Sequence, residues 1–135
     1  IPYCVKTGVA VTPWSPLARG ILAGAYKGSF DNGSTARSSG QDRKRTESLY
    51  QGDNIFKIAD RVIEVAEKYG KTPAQIAVAW LFTVEGVVCP VVGVSKAAQL
   101  TDLVEATTIE LAAEDVAYLD ALYQPVENLL SIGTS

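Results

Sequence analysis

Apolar positions recur along this chain with two different periods, and the change between them marks the elements. Residues 9–13, VAVTP, form a short β-branched run behind Gly8, the pattern of a strand that follows a helix stop. Residues 87–92, VVCPVV, are apolar without interruption, as a strand buried on both faces of a parallel sheet would be, although Pro90 weakens its ladder. Between these runs the period is helical. Ile55, Ile58, Val62, Val65 and Tyr69 predict a helix over 54–69, with Asp53 as N-cap and Gly70 as stop. Thr72-Pro73-Ala74-Gln75 opens another through a capping box, and Ile76, Ala79, Trp80 and Thr83 follow on one face until Gly86. Trp80 reads as core. Beyond Lys96, the positions Leu100, Leu103, Val104 and Thr107 predict a third helix. Val116, Leu119 and Leu122 predict a fourth over 113–122, whose capping position holds only Ala112, so its start is expected to fray.

Two stretches carry no apolar period. Residues 18–53 are polar and rich in Gly and Ser, and read as one long irregular loop. Its basic run at 42–45 is offset by Asp31, Asp42, Glu47 and Asp53, which favours a solvated loop over a phosphate site. The tail from Gln124 to Ser135 has no clear pattern.

The order strand, loop, helix, helix, strand, helix, helix argues for an α/β fold of βα units on a parallel sheet. Two parallel strands make no stable sheet by themselves. A (β/α)8 barrel takes ~250 residues, so this chain has the length of roughly half of one, at 135 residues. It contains no methionine, and Ile1 begins what reads as the end of a helix. The expectation is a piece of a longer protein.

Composition narrows the chemistry. A net charge of -3 gives no reason to expect nucleic acid or an anionic membrane as partner, and no apolar run is long enough for a membrane span. Cys4 and Cys89 make neither a disulfide framework nor a metal cluster, and a reduced, cytoplasmic setting is expected. There is no histidine, so this chain alone cannot supply a His base, a Ser-His triad or a His metal ligand.

In parallel α/β folds, ligands bind where strands run into helices at their carboxyl ends. Two unusual clusters fall there. After the first strand come Trp14, Ser15, Leu17, Arg19 and Gly20: an aromatic face that could stack on a planar cofactor, or could equally plug a barrel mouth. After the second come Gly93, Ser95, Lys96, Gln99 and Asp102. These could hold a ribose phosphate at a helix N-terminus, or form an ordinary cap with solvated polar residues.

GVAVTPWSPLARGILAG, residues 8–24, resembles a segment of the aldo-keto reductases. KTPAQIAVAWLFTVEGVVCPVVGVSKAAQLTDLVEA, residues 71–106, is similar to their penultimate segment, and the two occur in the family's order. WSPLARG and the terminal YQPVENLLSIG resemble the bacterial branch related to aryl-alcohol dehydrogenases.

This resemblance implies the carboxyl-terminal portion of a (β/α)8 TIM barrel and an NADP(H)-dependent reductase of small aldehydes or ketones. Trp14 would then stack on the nicotinamide, Ser15, Leu17, Arg19 and Gly20 would border the pyrophosphate, and Pro16 would count among the cofactor-binding residues. Ser95 and Lys96 would lie near the adenosine 2′-phosphate, Gly93 would permit close backbone approach to the cofactor, and Gln99 and Asp102 would face the adenine and its ribose. Leu103 stands where many members have an adenine-binding asparagine. The family's Asp, Tyr, Lys and His tetrad has no counterpart here, so catalysis would need the remaining N-terminal half of the barrel. A non-catalytic nucleotide-binding module on the same fold is the alternative reading, and an inactive truncation product a third.

Overall fold

The computed structural model describes residues 1–35, 38–52 and 54–125. Among them the α-helices are α1 (Pro2–Thr7), α2 (Gly40–Leu49), α3 (Ile55–Tyr69), α4 (Pro73–Leu81), α5 (Ala97–Glu105) and α6 (Ala113–Asp120). Short 3-10 turns cover Ala18–Ala23, Phe30–Asn32 and Ala106–Thr108.

The helical periods are realised. In α3, Ala59, Val62, Val65 and Ala66 are buried, and Gly70 ends the helix in a left-handed cap at φ 61°. Asp53, the expected N-cap, lies outside the described residues; Asn54 takes that position. The capping box of α4 is formed in both halves. Thr72 Oγ1 accepts from the Gln75 amide at 3.2 Å, and Gln75 Oε1 accepts from the Thr72 amide at 2.9 Å. Ile76, Ala77, Val78 and Ala79 are buried behind it, whereas Thr83 is exposed because the helix ends at Leu81, before it. Trp80 packs against the core while its Nε1 donates to Asp120 at 2.9 Å.

Three apolar clusters hold these elements together. Val62, Val65, Ala66, Ile76, Ala77 and Leu119 join α3, α4 and α6. Ile21, Ala25, Tyr26 and Ala59 seat the 3-10 segment on α3, extended by edge-on ring pairs from Tyr26 to Phe30 and from Phe30 to Phe56. Val78, Leu103 and Ala106 place α5 against α4.

Several expectations need correction. Neither 9–13 nor 87–92 is a continuous strand: the two segments lie parallel through single bridges, Val11 to Val87 and Trp14 to Val91. Pro13 and Pro90 remove ladder donors, and no third segment flanks the pair among the described residues. In α5 only Leu103 faces inward, since Leu100 and Val104 are exposed.

The stretch 18–53 is not irregular throughout, because α2 spans ten residues of it. The start of α6 is held rather than frayed. Tyr69 Oη accepts from the Ala112 amide and donates to Asp115, and Lys68 also donates to Asp115. That network lowers the Asp115 carboxyl below its ordinary value, through the Lys68 hydrogen bond first and Tyr69 second.

Candidate functional site

The parallel bridges decide where the two polar clusters lie. The Val11 amide donates to Gly86 O, the Val88 amide to Val11 O and the Val91 amide to Pro13 O, at 2.8–3.0 Å. Both segments therefore run in the same direction, and their carboxyl ends finish side by side at Trp14 and Val91. Trp14 is 57% exposed, so its ring neither fills a core nor plugs an enclosed space among the described residues.

From Trp14 the chain enters an unusual turn. Ser15, Ala18 and Arg19 have φ of 52°, 47° and 56°. Left-handed backbone costs an L-residue roughly 1–2 kcal/mol, and these are the described non-glycine residues that adopt it. Gly20 continues at φ 102°, where a Cβ would meet the Ala25 Cβ at 3.3 Å. Leu17 points away from the turn's outer face and packs on two of the apolar clusters. Pro16 is half-buried. The Arg19 side chain lies against α2: Nε donates to Thr46 Oγ1 at 2.9 Å and Nη2 to Asp42 at 2.7 Å. Its guanidinium is therefore engaged within the protein, not presented at an open surface.

The second turn leads into α5. Gln99 Oε1 accepts from the Ser95 amide at 2.9 Å, the Lys96 amide at 3.1 Å and the Ser95 hydroxyl at 3.2 Å. Gln99 thus fixes the turn. Lys96 is exposed and makes no ion pair among the described residues, unlike Arg19, Arg43 and Lys68. In the first turn of α5 the Gln99 amide already donates to Lys96 O at 3.1 Å. Asp102 is exposed, and its carbonyl accepts from the buried Gln75 at 3.2 Å, which ties α5 to the start of α4. Gly93 is exposed, with nothing within 4 Å of where a Cβ would stand.

Sequence reasoning missed Asp42 and Thr46. They belong to a segment without apolar period, and only the acidic offset at Asp42 signalled a partner for a base. An apolar cavity of about 580 Å³ lies elsewhere, between Leu22, Ile58, Trp80, Leu119 and Tyr123. Among the described residues, no group of His, Cys, Asp and Glu could hold a metal, and no helix is long and apolar enough to cross a membrane.

The family model described as aldo/keto reductase matches residues 1–124. The chain belongs to the aldo/keto reductase family. A Schizosaccharomyces pombe protein with the provisional name aryl-alcohol dehydrogenase is 40% identical over 126 residues, covering 93% of this chain and 37% of its own length. The versiconal hemiacetal acetate reductase of Aspergillus parasiticus is 34% identical over 127 residues, 93% of this chain and 35% of the relative. An aldo-keto reductase of Metarhizium robertsii is 34% identical over 125 residues, 91% of this chain and 32% of the relative. This aldo/keto reductase chain thus spans about a third of the length of these curated relatives. All three are fungal, and nothing in them places the chain in a bacterial branch.

Proposed function

We propose that this chain supplies the cofactor-side elements of an NADP(H)-dependent aldo/keto reductase that acts in the cytoplasm and reduces small aldehydes or ketones to alcohols. The observation that carries this reading is the Trp14–Val91 bridge. It sets the backbone of the exposed Trp14 beside the segment that continues to Gly93, Ser95 and Lys96.

The residues fit a dinucleotide by three features. An exposed aromatic stands at a strand end, where it would stack on the nicotinamide. The ammonium of Lys96, without an ion pair among the described residues, stands beside Ser95 at a helix start, where it would hold the adenosine 2′-phosphate and favour NADP(H) over NAD(H). Gly93 needs no glycine for its own fold, since a side chain there would meet nothing; its bareness leaves room for a ligand to approach the backbone. Between these ends, the turn of Ser15, Pro16, Leu17, Arg19 and Gly20 would lie along the pyrophosphate. Gln99 and Asp102 would face the adenine and its ribose.

The bound nicotinamide would supply a hydride to the carbonyl carbon. The protein's part in this chain is to hold the ring flat against Trp14 and to shield one face from water. The proton for the carbonyl oxygen would come from a tyrosine in the N-terminal half of the barrel, the partner this reading requires. Exposed Val9, Val88 and Val91 offer that half an apolar edge to complete the parallel sheet of a (β/α)8 barrel.

Activity assays on two lengths test the reading. The purified 135-residue chain is expected to show no NADPH-dependent carbonyl reduction, and a protein extended to the relatives' length is expected to show it. Turnover by the shorter material, or its absence from a folded longer protein that binds NADPH, would contradict the proposal. The latter result would favour a non-catalytic nucleotide-binding module.

A further inference from the structure

We propose that α2 is the positioning element for the turn at 14–20, with Thr46 and Asp42 acting through the Arg19 side chain. This rests on the functional reading above, in which that turn lies along a dinucleotide. The left-handed residues Ser15, Ala18 and Arg19 all fall within five positions. Strained backbone of this kind persists only where its surroundings over-determine it.

The over-determining contacts are specific. Thr46 is fully buried, and its hydroxyl donates to the Asp42 carbonyl at 2.9 Å. Its one proton is therefore used, and its oxygen is left to accept from Arg19 Nε at 2.9 Å. The Asp42 carboxylate takes a second guanidinium N–H at 2.7 Å. The Arg19 side chain is 11% exposed and Asp42 57%. The arginine end of the pair is thus the buried one.

Apolar packing does not explain why α2 sits here, since Thr46 is its buried residue. Its other anchor is also polar: Arg43 binds Asp31 and, one turn along, Glu47. α2 is thus tied to the 3-10 turn at Phe30–Asn32 through Arg43 and to Arg19 through Asp42 and Thr46. Two of the five guanidinium N–H groups are engaged in this link, and the side chain is 11% exposed. Within the turn the Ala18 and Gly20 amides donate to Ser15 O and Leu17 O, and Arg19 acts as a positioning residue that ties this backbone to α2.

The test uses the protein at the relatives' length with four variants: Thr46→Val, Thr46→Ser, Asp42→Asn and Lys44→Ala. NADPH affinity is read by titration, and tryptic cleavage after Arg19 is read without ligand. Thr46→Val, which keeps the shape and removes the acceptor, is expected to raise the NADPH Kd about tenfold. It should also raise the KM for NADPH with kcat nearly unchanged, and speed cleavage at Arg19. Thr46→Ser restores both readouts, and the exposed Lys44→Ala changes neither.

Folded Thr46→Val protein with unchanged Kd and cleavage would overturn the proposal. So would tighter NADPH binding by Asp42→Asn, which would mean that Asp42 competes with a phosphate for Arg19. Wild-type protein that binds no NADPH overturns the functional reading itself and this proposal with it. Wild type that binds while Thr46→Val binds equally overturns only the role of α2.

Discussion

Asp115 shows how a single residue answers two questions at once. It lies in the first turn of α6, where a negative charge meets the positive end of the helix, and it accepts from Lys68 and Tyr69. Its carboxyl is held below the ordinary 3.8 by the Lys68 hydrogen bond first, then by Tyr69. A depressed acid contributes stability that is fully present above its unfolded value and is lost as pH falls through the folded one. Thermal melts should therefore show Asp115→Asn less stable than wild type at neutral pH, with the two curves converging in strong acid. Curves that stay parallel at every pH would exclude this role. The sequence placed Val116 and Leu119 on the inner face of this helix but left its start uncapped. The hydroxyl that holds it belongs to Tyr69, 43 residues away, and no local pattern encodes such a partner. Arg19 is the same case at the candidate site, since its partners lie 23 and 27 residues along the chain.

At the scale of elements, legibility followed the kind of force that forms each one. α4 was readable because its start signal is local: Thr72 and Gln75 cap each other across three residues. Removing that signal with Thr72→Ala should destabilise the protein by about 1 kcal/mol in denaturant melts. A loss below a few tenths would show that Pro73 and tertiary packing alone hold the start. α2 was not readable, because periodicity detects a helix by its apolar face and residues 40–49 have none. Good helix formers such as Gln41, Arg43, Lys44, Arg45 and Glu47 were the remaining signal. α5 was read half correctly. Its apolar stripe is real, yet Leu100 and Val104 stay exposed, so the stripe is wider than the surface that α4 and the following 3-10 turn cover.

The whole molecule has the same incompleteness on a larger scale. Its two parallel segments touch through single bridges, while Val9, Val88, Val91 and Trp14 are each more than half exposed along them. A parallel sheet is ordinarily covered on both faces, and this chain spans about a third of the relatives it matches. The direction of the pair follows from the βα order of the sequence, and it is what brings the two polar turns to one edge. Their joint use by one ligand is the central claim, and a titration with a reporter at one end and a substitution at the other tests it most directly. In protein of the relatives' length, NADPH should quench the Trp14 emission to saturation. Lys96→Ala should raise the midpoint for NADPH about tenfold or more while leaving NADH unchanged, because in the proposed function only the 2′-phosphate would meet that ammonium. Absence of quenching in folded protein, or an equal effect of Lys96→Ala on both dinucleotides, would contradict the account.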